Sequence, residues 1–193
     1  MLFFKYIFPF AFLFLIGSSF SSNPETEPDR ISWSKDYQLT WDDFKGIPDN
    51  SDHLDAYTML GLSLEVMGQE ENVVELGVFG YFEKNKSWVK VDEKTDHLLA
   101  HEQKHFDLCE VYRRVLVKKL EAKKSYSFDK FSDQIGKIFN DVFEDYTKEQ
   151  ARYDEETNHS QKKDAQKRWN KFISKELSRL KKYDKIAASL KVK

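Results

Sequence analysis

Apolar residues follow one rule before Asp92 and another after it, and that switch confines the chain to few architectures. In residues 56–67, Met59 or Leu60, Leu62, Leu64 and Val66 alternate with Ser63 and Glu65; in residues 73–82, Val74, Leu76, Val78 and Phe82 share one face. A period of two belongs to a half-buried strand. Turn residues at 68–72 and at Lys84-Asn85-Lys86 lead into a third stretch, Ser87-Trp88-Val89-Lys90-Val91, so the pattern predicts an antiparallel meander. Past Asp92, Leu98, His101, His105, Leu108, Tyr112 and Val115 recur at spacings of three and four, the helical period. Thr95 supplies an N-cap, with Asp96 in the first turn. A second helix is expected through Phe128, Phe131, Ile135, Ile138, Val142 and Phe143, and a third through Trp169, Phe172 or Ile173, Leu177, Leu180 and Tyr183 to about Leu190. Strands followed by helices predict an α+β fold: a small antiparallel three- to four-stranded sheet, then three main helices.

The beginning of the chain obeys neither rule. Residues 1–22 hold one charge, Lys5, an apolar run over residues 6–16 and then Gly17-Ser18-Ser19. The run is shorter than the roughly 20 residues of a spanning helix, so it reads as a signal peptide that leaves no stable membrane anchor after cleavage. Export follows, to the periplasm or outside the cell. Residues 23–30 read as a flexible lead-in and residues 31–193 as a single domain, opening with a strand and a short helical turn around Leu39-Thr40-Trp41-Asp42-Asp43-Phe44. Cys109 is the one cysteine, and its helical setting makes it a core residue. Lys and Arg number 31 against 33 Asp and Glu, so whole-chain charge gives no reason to expect a nucleic-acid partner. Gly-rich phosphate loops, repeats and heptad arrays do not occur.

Chemistry concentrates at His101-Glu102-Gln103-Lys104-His105, the HExxH pattern of a zincin-like active-site helix. Residues four apart lie about 40° apart around a helix, so both imidazoles face one metal, with the Glu beside them as a base for metal-activated water. Leu108 and Val111 stand where the longer HExxHxxGxxH form has Gly and His, which excludes that variant. A third Zn²⁺ ligand must come from elsewhere. His159 is preferred, an isolated His in the polar stretch 150–160, which reads as loop or as polar helix. Asp154 is an alternative ligand or an orienting group, and Asp141, Glu144 and Asp145 are others. Tyr153 is the candidate hydroxyl for a developing oxyanion. Trp88 is a core or groove-lining residue, His97 is expected at the exposed start of the helix, and the sequence does not say what His53 meets. The expected reaction is hydrolysis of a peptide or protein substrate by a zinc metallopeptidase, with Glu102 catalytic; a zinc-carrying envelope binding protein without turnover is the alternative.

Four blocks carry a resemblance: Leu39-Thr40-Trp41-Asp42-Asp43-Phe44-Lys45-Gly46; Ser87-Trp88-Val89; Leu98-Leu99-Ala100-His101-Glu102-Gln103-Lys104-His105-Phe106-Asp107; and Tyr153-Asp154-Glu155-Glu156-Thr157-Asn158-His159 with Gln166 and Trp169. The chain resembles the predicted secreted zinc-dependent proteases grouped as domain of unknown function 922. The resemblance implies His101 and His105 as ligands and Glu102 as catalytic base. Ser160 stands where the family usually carries Gly.

Overall fold

The computed structural model describes residues 29–51 and 53–193. The expected signal, residues 1–22, and residues 23–28 of the lead-in lie outside the described residues. Arg30, assigned to the lead-in, already belongs to a strand. The elements are β1 (Arg30–Ser32), β2 (Ala56–Tyr57), β3 (Leu60–Glu70), β4 (Val73–Glu83), β5 (Trp88–Val89), α1 (Asp96–Ala122), α2 (Phe131–Thr157), α3 (Lys163–Arg179) and β6 (Ala187–Lys191). A 3-10 turn at Trp41–Asp43 is the short helical turn expected there. The fold is α+β, an antiparallel sheet packed against three helices.

β3 and β4 form a hairpin from Leu60 opposite Phe82 to Glu70 opposite Val73, with a bulge between Val66 and Gly68. The other edge of β4 is shared: β1 pairs with residues 81–83 and β6 with residues 73–77. With both edges taken, the third strand of the expected meander has no place beside β4. Instead the Ser87 amide and hydroxyl both donate to the Glu83 carbonyl, at 3.0 and 2.8 Å, and turn the chain away. Trp88 and Val89 then pair with Tyr57 and Ala56 in a separate two-stranded sheet.

The third helix is shorter than its pattern predicted. α3 stops at Arg179, and the stretch expected to extend it to about Leu190 becomes a 3-10 turn and then β6. Ala188, Leu190 and Val192 are buried while Ser189 and Lys191 are exposed, the strand period in a segment too short to be conspicuous. A charged network pins this return. Buried Glu110 accepts from Arg113 and Arg114, which reach the carbonyls of Lys185 at 2.7 Å and Leu177 at 3.0 Å.

α1 lies at the centre. Its residues Phe106, Cys109, Leu116 and Leu120 pack with Leu62, Leu76, Val78 and Phe82 of the sheet and with Ile135, Phe139, Val142 and Tyr146 of α2. On the opposite side Leu108 and Val111 join Tyr153, Trp169, Ile173 and Leu180. The Thr95 hydroxyl caps the helix, accepting from the Leu98 amide at 3.2 Å. A helix enclosed this way buries its polar residues too, and each must find a partner. Among the described residues no helix is long and apolar enough to cross a membrane.

Candidate metal centre

His101 and His105, one turn apart on α1, bring their Nε2 atoms to 3.2 Å. Asp154, from α2, places Oδ1 3.1 Å from the first and 2.9 Å from the second. It arrives there because α2 does not stop at the end of its apolar pattern. The polar stretch continues as helix to Thr157, with Tyr146, Tyr153 and Thr157 buried at spacings that keep one face against α1. Of the two readings open for residues 150–160, helix therefore holds through Thr157.

The donors fit a small cation. Gln150 donates from Nε2 to the His105 carbonyl at 3.0 Å, which turns its Oε1 to His105 Nδ1 at 2.6 Å. Gln166 of α3 donates to the Tyr153 hydroxyl at 2.6 Å and to Asn170 at 2.8 Å, which turns its Oε1 to His101 Nδ1 at 3.0 Å. Both imidazoles must then carry hydrogen on Nδ1, so both Nε2 lone pairs point at each other and at a carboxylate oxygen. Three lone pairs within about 3 Å repel unless a proton or a metal lies among them. Donors held roughly 2.0–2.1 Å from a tetrahedral zinc stand about 3.3 Å apart, close to the spacing here. Without metal a proton takes that role. Burial disfavours charge on His105, but Asp154 outweighs it, aided by Glu102 and Gln150, and raises its pKa to about 9. For Asp154, burial is outweighed by the charge of His105 and by hydrogen bonds from His101, His105 and His159, which hold it well below the usual carboxylate range.

Glu102 is buried beside the cluster, and its Oε2 accepts from the Thr58 hydroxyl at 2.5 Å. Thr58, in the link between β2 and β3, carries no chemical signature in the sequence. His159 lies close by without joining the three converging donors. Its Nδ1 is 3.6 Å from Asp154 Oδ1, and its side chain is 45% exposed. Exposure rises from 2% at His101 through 11% at His105 and 31% at Asp154 to His159, so the site opens on that side. Asn158, His159 and Ser160 all have positive φ, a left-handed turn that reverses the chain between α2 and α3. His97 holds this turn to the start of α1 through the Ser160 carbonyl at 2.6 Å. His53 stands near it, its ring 5.9 Å from that of His159.

Tyr153 does not fill the role expected of it. Its hydroxyl donates to the His101 carbonyl at 3.2 Å and accepts from Gln166, and its fully buried ring stacks on His101 with centroids 4.6 Å apart. Burial drives its pKa far above the tyrosine range, so it stays protonated, and with its hydrogen given to the His101 carbonyl it acts as a support for the His101 ring rather than an oxyanion donor. Asp141, Glu144 and Asp145 point to solvent and pair with Lys137, Lys148 and Lys119, which removes them as ligands. Trp88 is buried in β5 against Tyr57, the core setting of its two readings. The inner positions of HExxH have work of their own. Gln103 accepts from the Leu39 amide at 2.8 Å and donates to Asp107 at 2.9 Å, and Asp107 accepts from the Trp33 indole at 2.9 Å. The segment from Trp33 to Phe44 is thereby strapped across the helix that carries the donors.

Residues 82–160 match the model of a family described as bacterial protein of unknown function (DUF922). The match includes His101, Glu102, His105, Gln150, Asp154 and His159. It excludes the block at Leu39 and also Gln166 and Trp169, so it is narrower than the resemblance drawn from the sequence. The family description names no activity. No curated protein and no solved structure matches the chain.

Proposed function

We propose that the chain is a zinc-dependent peptidase that works after export, with His101, His105 and Asp154 holding the metal and Glu102 acting as base. The observation that carries this reading is the convergence of two Nε2 lone pairs and a carboxylate oxygen while both Nδ1 atoms are committed to glutamine carbonyls. Imidazole and carboxylate together suit zinc among the common divalent ions. Bound there, zinc supplies a Lewis acid that makes water nucleophilic near neutral pH and polarises a carbonyl.

The chain's own residues supply the rest. Gln150 and Gln166 fix ring orientation and tautomer, and Asp154 offsets the charge of a cation. Glu102, adjacent to the first ligand and steadied by Thr58, takes a proton from the attacking water and returns it to the leaving amine. His159, outside the triangle on the solvent side, is positioned to meet substrate rather than to complete the ligand set. Export is supported by the apolar run at residues 6–16.

The test is hydrolysis of an unstructured protein substrate by the wild type and by Glu102→Gln. Loss of general-base catalysis should lower the rate by about 10²–10⁴-fold, with metal content unchanged. Equal rates would refute the role of Glu102. Full metal content without hydrolysis of any peptide pool would favour a zinc-carrying binding protein.

A further inference from the structure

Positive charge is collected at one end of the chain. Residues 162–193 carry 12 Lys and Arg against 3 Asp and Glu, in a protein whose net charge is −2. On α3, Lys163, Lys167, Lys171 and Lys175 succeed one another at intervals of four, and Arg179 continues the row. Each step advances about 40° around the helix, so the row winds across the side opposite Ala165, Gln166, Trp169 and Ile173, which α3 buries. All five cations are exposed, and they span about 24 Å. Asp164 approaches Lys167 at 3.5 Å and Glu176 holds Arg179, but Lys163, Arg168, Lys171 and Lys175 have no ion-pair partner among the described residues. Like charges four apart destabilise a helix, and four such pairs follow in succession here.

We propose that this face of α3 docks the protein onto an anionic phospholipid surface. The apolar side of α3 is committed to the core, so the helix cannot insert and the attraction is electrostatic. The depression at the start of α3, lined by Lys162, Lys163 and Arg168, also holds Glu156 and Asp164, whose charge would repel a nucleic-acid backbone. Phe172, 39% exposed, is the one aromatic side chain beside the lysines, edge-on to Trp169, so the face has no series of rings on which successive bases would stack. Four of the five cations in the row are lysines, compact charges that suit a field of mobile headgroups better than forked recognition of one phosphate. Docking through α3 would hold the metal centre beside a membrane without blocking it, because Gln166 meets His101 from the opposite side of the same helix.

The test is co-sedimentation of the full chain with phosphatidylcholine vesicles, with and without phosphatidylglycerol, over a salt series. Two fourfold variants are compared: Lys163→Gln, Lys167→Gln, Lys171→Gln and Lys175→Gln on α3, against Lys35→Gln, Lys45→Gln, Lys94→Gln and Lys130→Gln at exposed positions elsewhere. Each lysine near an anionic leaflet strengthens partition about fivefold, so the α3 variant should lose roughly 10²–10³-fold in low salt. The second variant, with the same net charge, should keep most of its binding. Equal losses in the two variants, equal binding to both lipids, or preference for duplex DNA in direct competition would each overturn the proposal.

Discussion

Replacing Gln166 with leucine separates the support of the metal donors from the donors themselves. Gln166 touches no presumed metal position; it accepts from His101 Nδ1 and donates to Tyr153 and Asn170. Leucine fills a similar volume but leaves the Nδ1–H of His101, 2% exposed, without an acceptor. Tyr153 still donates to the His101 carbonyl, and Asn170 is partly exposed and can turn to water. One orphaned buried donor costs about 1–3 kcal/mol in the metal-free protein, or roughly 2–4 °C in Tm per kcal/mol for a domain of this size. Released from its acceptor, the imidazole can tip or adopt the other tautomer, and outer partners of this kind contribute about 10–100-fold to metal affinity. Denaturant titration of the metal-free protein measures the first effect, and competition with a zinc chelator the second. A Gln166→Leu protein that binds zinc within about twofold of wild type would refute the argument that Gln166 sets the His101 tautomer.

Two further outcomes follow from the charges of His105 and Asp43. In the metal-free protein the His105 pKa rises from 6.5 to about 9, so its contribution to stability is complete below 6.5 and disappears as pH rises through about 9. Zinc must displace that proton, so at about pH 7.5 calorimetry in buffers of different ionisation enthalpy should register close to one proton released per metal; release of none would contradict the proton-filled triangle. Asp43 accepts from Tyr37 and Thr40 and pairs with Lys84, and although burial opposes its charge these partners lower its pKa. Asp43→Ala should cost about 1–2 kcal/mol at neutral pH, and because a lowered carboxylate stabilises only above its unfolded value, the difference should shrink below pH 3.8. A difference constant from pH 7 to pH 3 would show that the charge of Asp43 is not what closes that turn.

Much of the architecture was legible because burial and periodicity coincide. The β3 and β4 hairpin and α1 with its Thr95 cap stand where the pattern put them, since each buries apolar side chains on one face. Legibility failed where buried positions are polar or segments are short. α2 continues past Phe143 through Tyr146, Gln150, Tyr153 and Thr157, a sound helical face whose members are not hydrophobic enough to register as one. The sequence therefore favours His159 over Asp154, although helical geometry carries Asp154 straight to the donors on α1. β6 buries only Ala188 and Leu190, with Val192 just beyond it, too few residues to oppose the reading of a longer third helix. The displacement of β5 depends on the second edge of β4 being filled by β1 and β6, from distant parts of the chain, which local alternation does not encode. Gln150 and Thr58 belong to no motif, and Gln166 enters only through a resemblance that gives it no role; the fold alone gives them their partners.

Metal content of the purified protein, by elemental analysis beside His105→Ala and Asp154→Ala, tests the centre most directly. The account predicts close to one zinc per wild-type chain and its loss in both variants. A folded wild type that takes up no zinc after reconstitution, or an Asp154→Ala protein that retains it fully, would contradict the His101, His105 and Asp154 centre.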